Sequence, residues 1–70
     1  MKFREVVKIL EKNGFELIRT RGSHNIFRSC GNGSTKMVSV PFNRNELPKG
    51  TLSAIIRQSG LDKNLFGKGN

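Results

Sequence analysis

Residues 15–40, FELIRTRGSHNIFRSCGNGSTKMVSV, decide the fold. Phe15 to Arg21 and His24 to Cys30 are enriched in Phe, Ile and Thr, whose bulk suits a pleated, half-buried surface, and Gly22-Ser23 separates them as a turn. They read as a hairpin. Gly31-Asn32-Gly33-Ser34 supplies a second turn, and Met37 to Val40 is a short β-branched run ended by Pro41, which lacks the donor a strand interior needs. Three antiparallel strands are therefore expected. Strand parity leaves the display of His24 open: His24, Ile26 and Arg28 share one side of the second strand, Asn25, Phe27 and Ser29 the other, so each side carries an apolar residue. Phe27 is the expected core residue. Phe42, beside the following loop, is the better base-stacking candidate, with a core role as its alternative.

Upstream, Phe3, Val6, Val7 and Leu10 fall at i, i+3, i+4 and i+7, the spacing of one helix face, and predict a helix over residues 2–12 that stops at Asn13-Gly14. Downstream, residues 42–50 hold Asn43, Arg44, Asn45, Pro48 and Gly50, a turn-rich connector. Leu52, Ile55 and Ile56 then predict a second helix over 50–59. Gly60 ends it, Leu61 folds back as the apolar contact that accompanies such caps, and Asp62 to Phe66 adds one more turn. The organisation is a single domain over 1–66 with a frayed tail, Gly67-Lys68-Gly69-Asn70. Helix, three strands and helix make an α+β fold that buries its apolar surface most simply with both helices on one face of the sheet.

Seventy residues leave room for one small core, since a chain of this size buries only about 60% of the surface its unfolded form exposes. A second domain or a roomy cofactor crevice is excluded. Cys30 is the single cysteine, so no internal disulfide forms, which favours a reducing, cytoplasmic setting. The opening MKFREVVKIL has spaced apolar positions and an acidic residue, and reads as neither signal peptide nor membrane span. Thirteen Lys and Arg against five Asp and Glu give a net charge of +8. A field this strong on so small a surface collects polyanions, because each cation docking on a phosphate releases condensed counterions. Nucleic acid leads as the partner, ahead of an acidic protein. An anionic membrane ranks last, since the amphipathic segment lacks the Trp-rich apolar face of interfacial helices.

One His and one Cys are too few for a zinc site, so no metal and no cofactor are expected. Gly31-Asn32-Gly33 is a turn and not a phosphate cradle, because no Lys-Ser/Thr or helical continuation follows it. Glu5, Glu11, Glu16, Glu46 and Asp62 are scattered, which suggests neither a two-metal site nor a glycosidase pair. Cys30 reads as a buried apolar residue or an inert strand-end thiol. His24 stands apart: it adjoins the Gly-Ser turn, with Arg19, Arg21 and Arg28 nearby. A lone His is usually structural, but neighbouring guanidinium charge favours the neutral ring that a general base requires. The same arginines suit a phosphodiester and the charge it develops during cleavage. RNA carries its own nucleophile, the 2′-hydroxyl, so its scission needs only proton transfer, alignment and charge stabilisation. Lys36 and Arg44 are further phosphate candidates, Ser23 a phosphate ligand or simply a turn residue, and Gly22 the residue that shapes the turn.

Taken in order, REVVKILEKNGF at 4–15, GSH at 22–24, VP at 40–41, ELPKGTL at 46–52 and IIRQSGL at 55–61 resemble the HicA toxin family. The resemblance implies an mRNA interferase with a double-stranded-RNA-binding-like α-β-β-β-α fold and no metal cofactor. It also implies a cognate HicB-type antitoxin that blocks the active surface and connects the pair to operator DNA. The family's active-site histidine corresponds to His24. Many members carry a second histidine two residues after the Pro of the VP stretch, where this chain has Asn43, which forms hydrogen bonds but does not relay protons. The second proton-transfer partner is then His24 itself in alternating roles, or a water held by an arginine. A non-catalytic RNA-binding module of the same fold, and a subunit whose charge serves an acidic protein regulator, are the rival readings.

Overall fold

In the computed structural model, which describes residues 1–31 and 34–67, the apolar stripe of Phe3, Val6, Val7 and Leu10 lies along one helix, α1 (Phe3–Lys12). Its first turn is closed by the Glu5 carboxylate, which accepts from the Lys2 backbone N–H at 2.8 Å and so satisfies a donor that the helix leaves unpaired. Asn13 donates its backbone N–H to the Ile9 and Leu10 carbonyls, and Gly14 at φ +88° turns the chain back toward the sheet. Phe15 then enters the core.

The strands are β1 (Glu16–Arg21), β2 (His24–Gly31) and β3 (Ser34–Pro41), antiparallel in the order β1-β2-β3. β3 starts three residues before the expected Met37. Ser34, Thr35 and Lys36 pair with Gly31, Cys30 and Ser29, so ladder hydrogen bonds carry a polar segment into the strand that its propensity does not signal. The expected turn through Asn32-Gly33, the Cys30 side chain and the tail beyond Gly67 lie outside the described residues.

After Pro41 the chain crosses to the helical layer, where the Leu47 N–H donates to the Met1 carbonyl at 3.0 Å and the Met1 ammonium pairs with Glu46 at 3.3 Å. α2 (Lys49–Ser59) begins directly after Pro48, whose carbonyl accepts the first helical hydrogen bond, from Leu52. Gly60 closes it in the left-handed conformation, φ +71°. Leu61 packs partly buried against the core, and a 3-10 turn (Lys63–Phe66) brings Phe66 inside.

Both helices cover the same side of the sheet. Val6 and Leu10 of α1, Ile55 of α2, Phe27 of β2, and Val38 and Val40 of β3 form one buried cluster with Phe15, Leu47 and Phe66. α2 also guards the β3 edge, where Gln58 Oε1 accepts from the Ser39 N–H at 3.2 Å. Leu47 joins the core although helical or strand spacing does not mark it, because it stands alone between Glu46 and Pro48. Among the described residues no helix is long and apolar enough to cross a membrane.

Candidate nucleic-acid interface

The core decides which way His24 faces. Phe27 is 2% exposed and lies on the helical side of the sheet, opposite Val38. Alternation along β2 therefore turns His24, Ile26 and Arg28 to the uncovered side. His24 and Arg28 are exposed there, and Ile26 is half-buried between them.

Arg19 and Arg21 reach that face through an irregularity in β1. Leu17 pairs with Phe27, yet Arg19 pairs with Ile26, so the chain spends Ile18 as an extra residue between the two pairs. This is a β-bulge, and it shifts the alternation of everything after it by one. In a regular strand Arg19 and Arg21 share the side of Leu17, which faces the helices. With the bulge, Arg19 lies opposite Ile26 and Arg21 opposite His24 on the uncovered face, while Thr20 turns to the other side and donates its hydroxyl to Asn25 Oδ1 at 3.1 Å. Sequence spacing alone does not reveal the bulge. Its one trace is Leu17-Ile18, two adjacent apolar residues in a strand that otherwise alternates, both exposed at 49% and 37%.

The turn between β1 and β2 contains only Gly22 and Ser23, with Arg21 and His24 paired directly across it. Gly22 sits at φ +59°, the left-handed region that L side chains disfavour and that tight hairpins demand. The Ser23 carbonyl accepts from the Phe42 N–H at 2.7 Å, which ties the tip of the hairpin to the segment leaving β3. Ser23 itself is exposed at the tip. Asn43 lies half-buried just beyond, its Oδ1 accepting from the Asn45 N–H at 3.0 Å in a turn. Arg44 follows, exposed, and lines a small cleft with Lys2, Phe3, Arg4, Phe42 and Asn43.

The sequence-predicted residues thus divide. Arg19, Arg21, His24 and Arg28 share one face; Gly22 and Ser23 form the hairpin tip at its end, and Asn43 and Arg44 lie just past it, in the cleft against the start of α1. Lys36 is separated from them. It pairs with Ser29 on the helical side of β3, five residues before the Pro41 that faces His24, and its ammonium lies beside Gly60 at the end of α2. Five strand residues span about 17 Å.

Among the described residues the only ion pair joins the Met1 ammonium to Glu46, so none of the arginines of this face has a carboxylate partner. Glu16 stands opposite Arg28 in the register without forming one. The His24 ring likewise engages in no hydrogen bond with a described residue, leaving both ring nitrogens open to whatever occupies the face. No three His, Cys, Asp or Glu side chains among the described residues cluster as metal ligands do. Chemically, the arrangement offers one proton-transfer group and three fixed positive charges on an open, shallow surface. Such a surface suits an extended polyanion better than a small substrate.

A family model described as "HicA toxin of bacterial toxin-antitoxin" matches residues 3–61, which runs from the start of α1 to the residue after the α2 cap. No curated protein matches the chain significantly.

Proposed function

Because the chain belongs to the HicA toxin family, we propose that it is the toxin of a type II toxin–antitoxin pair and acts as a metal-independent endoribonuclease on mRNA. The observation that carries this reading is the uncovered sheet face, where the only histidine stands opposite Arg21 and shares the face with Arg19 and Arg28, none of them in an ion pair among the described residues. Arg19 and Arg21 hold the phosphodiester beside His24, Arg28 takes a phosphate further along the strand, and Gly22 fixes the tight turn from which His24 projects. His24 takes the proton of the ribose 2′-hydroxyl as that oxygen attacks the neighbouring phosphorus. The P–O5′ bond breaks, the departing 5′-oxygen is protonated, and the products are a 2′,3′-cyclic phosphate and a 5′-hydroxyl. The proton for the leaving oxygen comes from the same ring in its charged state or from a water held by an arginine. Guanidinium charge on the non-bridging oxygens offsets the charge that builds up in the transition state. Deoxyribose lacks the nucleophile, so DNA is not a substrate.

The cognate partner in this reading is a HicB-type antitoxin that covers the same face, and operator DNA is reached only through that antitoxin. The site of action is the cytoplasm. Ser23 and Arg44 serve as peripheral phosphate ligands. The location of Lys36 argues against a direct part in the scissile linkage. Asn43, in place of a second histidine, favours one alternative, a non-catalytic RNA-binding module that uses the same cations.

Incubation of mRNA with the purified protein in EDTA tests the proposal. Cleavage that leaves 2′,3′-cyclic phosphate ends is expected. Strict dependence on magnesium, or intact RNA in both conditions, contradicts it.

A further inference from the structure

Beside the His24 face, the segment leaving β3 packs against the start of α1 and forms a cleft of about 290 Å³. Its lining is unusual for a core edge. Phe42 is 56% exposed although it is a large aromatic. Phe3 meets it edge to face, with ring centroids 5.2 Å apart and planes at 71°, which holds the Phe42 ring in place without covering it. Around it stand Lys2, Arg4 and Arg44, none of them in an ion pair among the described residues. Asn43 spends its Oδ1 on the Asn45 N–H, which leaves its Nδ2 as a donor. An exposed aromatic ring ringed by unneutralised donors is complementary to one chemical object in particular: a flat base joined to a phosphate.

The cleft adjoins the hairpin end of the proposed cleavage face through Phe42. Pro41 is the β3 partner of His24, and the Phe42 N–H is bonded to the Ser23 carbonyl, so Phe42 adjoins the hairpin end from which His24 projects. We propose that the cleft between Phe42 and the start of α1 is a nucleotide subsite, in which one unpaired RNA base next to the cleaved linkage stacks on Phe42 while Arg4, Arg44 and Lys2 hold its phosphate. The inference rests on RNA being the partner, as read above, but not on His24 performing catalysis. It specifies strandedness. A base inside a duplex offers its faces only to its neighbours, so the subsite accepts single-stranded RNA even though this fold order is also used to read duplex shape.

The test uses a short, fluorescently labelled single-stranded RNA that is 2′-O-methylated throughout, so that it binds without being cut. Base–aromatic stacking corresponds to a loss of roughly 5- to 150-fold in affinity when the ring is removed. Phe42→Leu, which keeps an apolar contact with Phe3 but has no aromatic face, is expected to lose affinity in that range for the single strand. It should bind a fully paired duplex of the same sequence about as the parent does. Phe42→Trp restores single-strand affinity, and in a chain that has no tryptophan of its own its emission is quenched on saturation with the RNA. The quenching arm reports on stacking even where Phe42→Leu is poorly folded. Parental affinity in Phe42→Leu, an equal loss on single strand and duplex, or unchanged emission of Phe42→Trp overturns the subsite. Quenching by a polyglutamate peptide but not by RNA overturns it too, and assigns the cleft to an acidic protein. Failure of the ribonuclease reading is separate: it shows as uncut natural RNA, a measurement in which none of these binding arms takes part.

Discussion

Replacing Phe27 and Ile26, one at a time, by alanine tests the facing of the whole site through stability alone. The two residues are neighbours on β2 and point to opposite sides of the sheet. Phe27 is 2% exposed and sits in the core cluster with Val38 and Ile55, so Phe27→Ala removes a full aromatic side chain and leaves a cavity, at a cost of about 3–5 kcal/mol. A 70-residue domain has about 4–10 kcal/mol in total. The loss therefore lowers the melting temperature by about 12 °C at the least and at the upper end abolishes the folded baseline. Ile26 is half-buried on the uncovered face, where the solvent already reaches the side chain and no cavity is enclosed. Ile26→Ala should cost only about 1 kcal/mol, a shift of about 4–8 °C. Urea titration and thermal melts followed by circular dichroism measure both. If Ile26→Ala is the damaging change and Phe27→Ala the mild one, the parity is inverted, His24 and Arg28 face the helices, and the proposed nucleic-acid surface does not exist.

Three further outcomes follow from the same geometry. Arg19→Ala and Arg21→Ala should each weaken RNA binding across sequences and reduce the log–log salt slope by about 1, whereas Lys36→Ala leaves the slope unchanged; equal slopes in all three would show that the two faces are not distinguished by RNA. Deletion of Ile18 removes the extra residue and joins Leu17 to Arg19 in regular pairing, so RNA affinity should stay within about threefold of the parent by anisotropy, while a collapse of binding in a folded protein would show that the bulge is misassigned. Gly22→Ala places a Cβ at φ +59° in otherwise open space and should cost about 1–2 kcal/mol in urea unfolding, with Gly22→Asn distinctly milder; an alanine variant as stable as the parent would contradict the left-handed turn.

The element order was legible because each element carries a local signal: a helical stripe in Phe3, Val6, Val7 and Leu10, turn chemistry at Gly22-Ser23, and left-handed closure at Gly60. The facing of His24 was not legible, since Ile26 and Phe27 are both apolar and only tertiary packing decides which of them is enclosed. Nor was the grouping of the arginines. Their spacing at 19 and 21 puts them on one side of a strand, but which side depends on a bulge at Ile18 that belongs to the pairing of two strands and not to either alone. Lys36 illustrates the converse. As a cation it resembles the others in sequence, and only the position of α2 shows that it serves the far end of the helical side. Phe42 was visible as a stacking candidate, but its cleft required the return of the chain beside α1 through the contacts of Met1 and Lys2 with Glu46 and Leu47.

The most direct measurement of the central claim compares the parent with His24→Ala in single-turnover cleavage of a natural transcript, with affinity for a methylated, uncleavable RNA measured in parallel. His24 touches no described side chain through a hydrogen bond and is exposed, so the variant should fold and bind as the parent does. Its cleavage rate should fall by about 10²- to 10⁴-fold. An undiminished rate, or a fall matched by an equal loss of binding, contradicts the account.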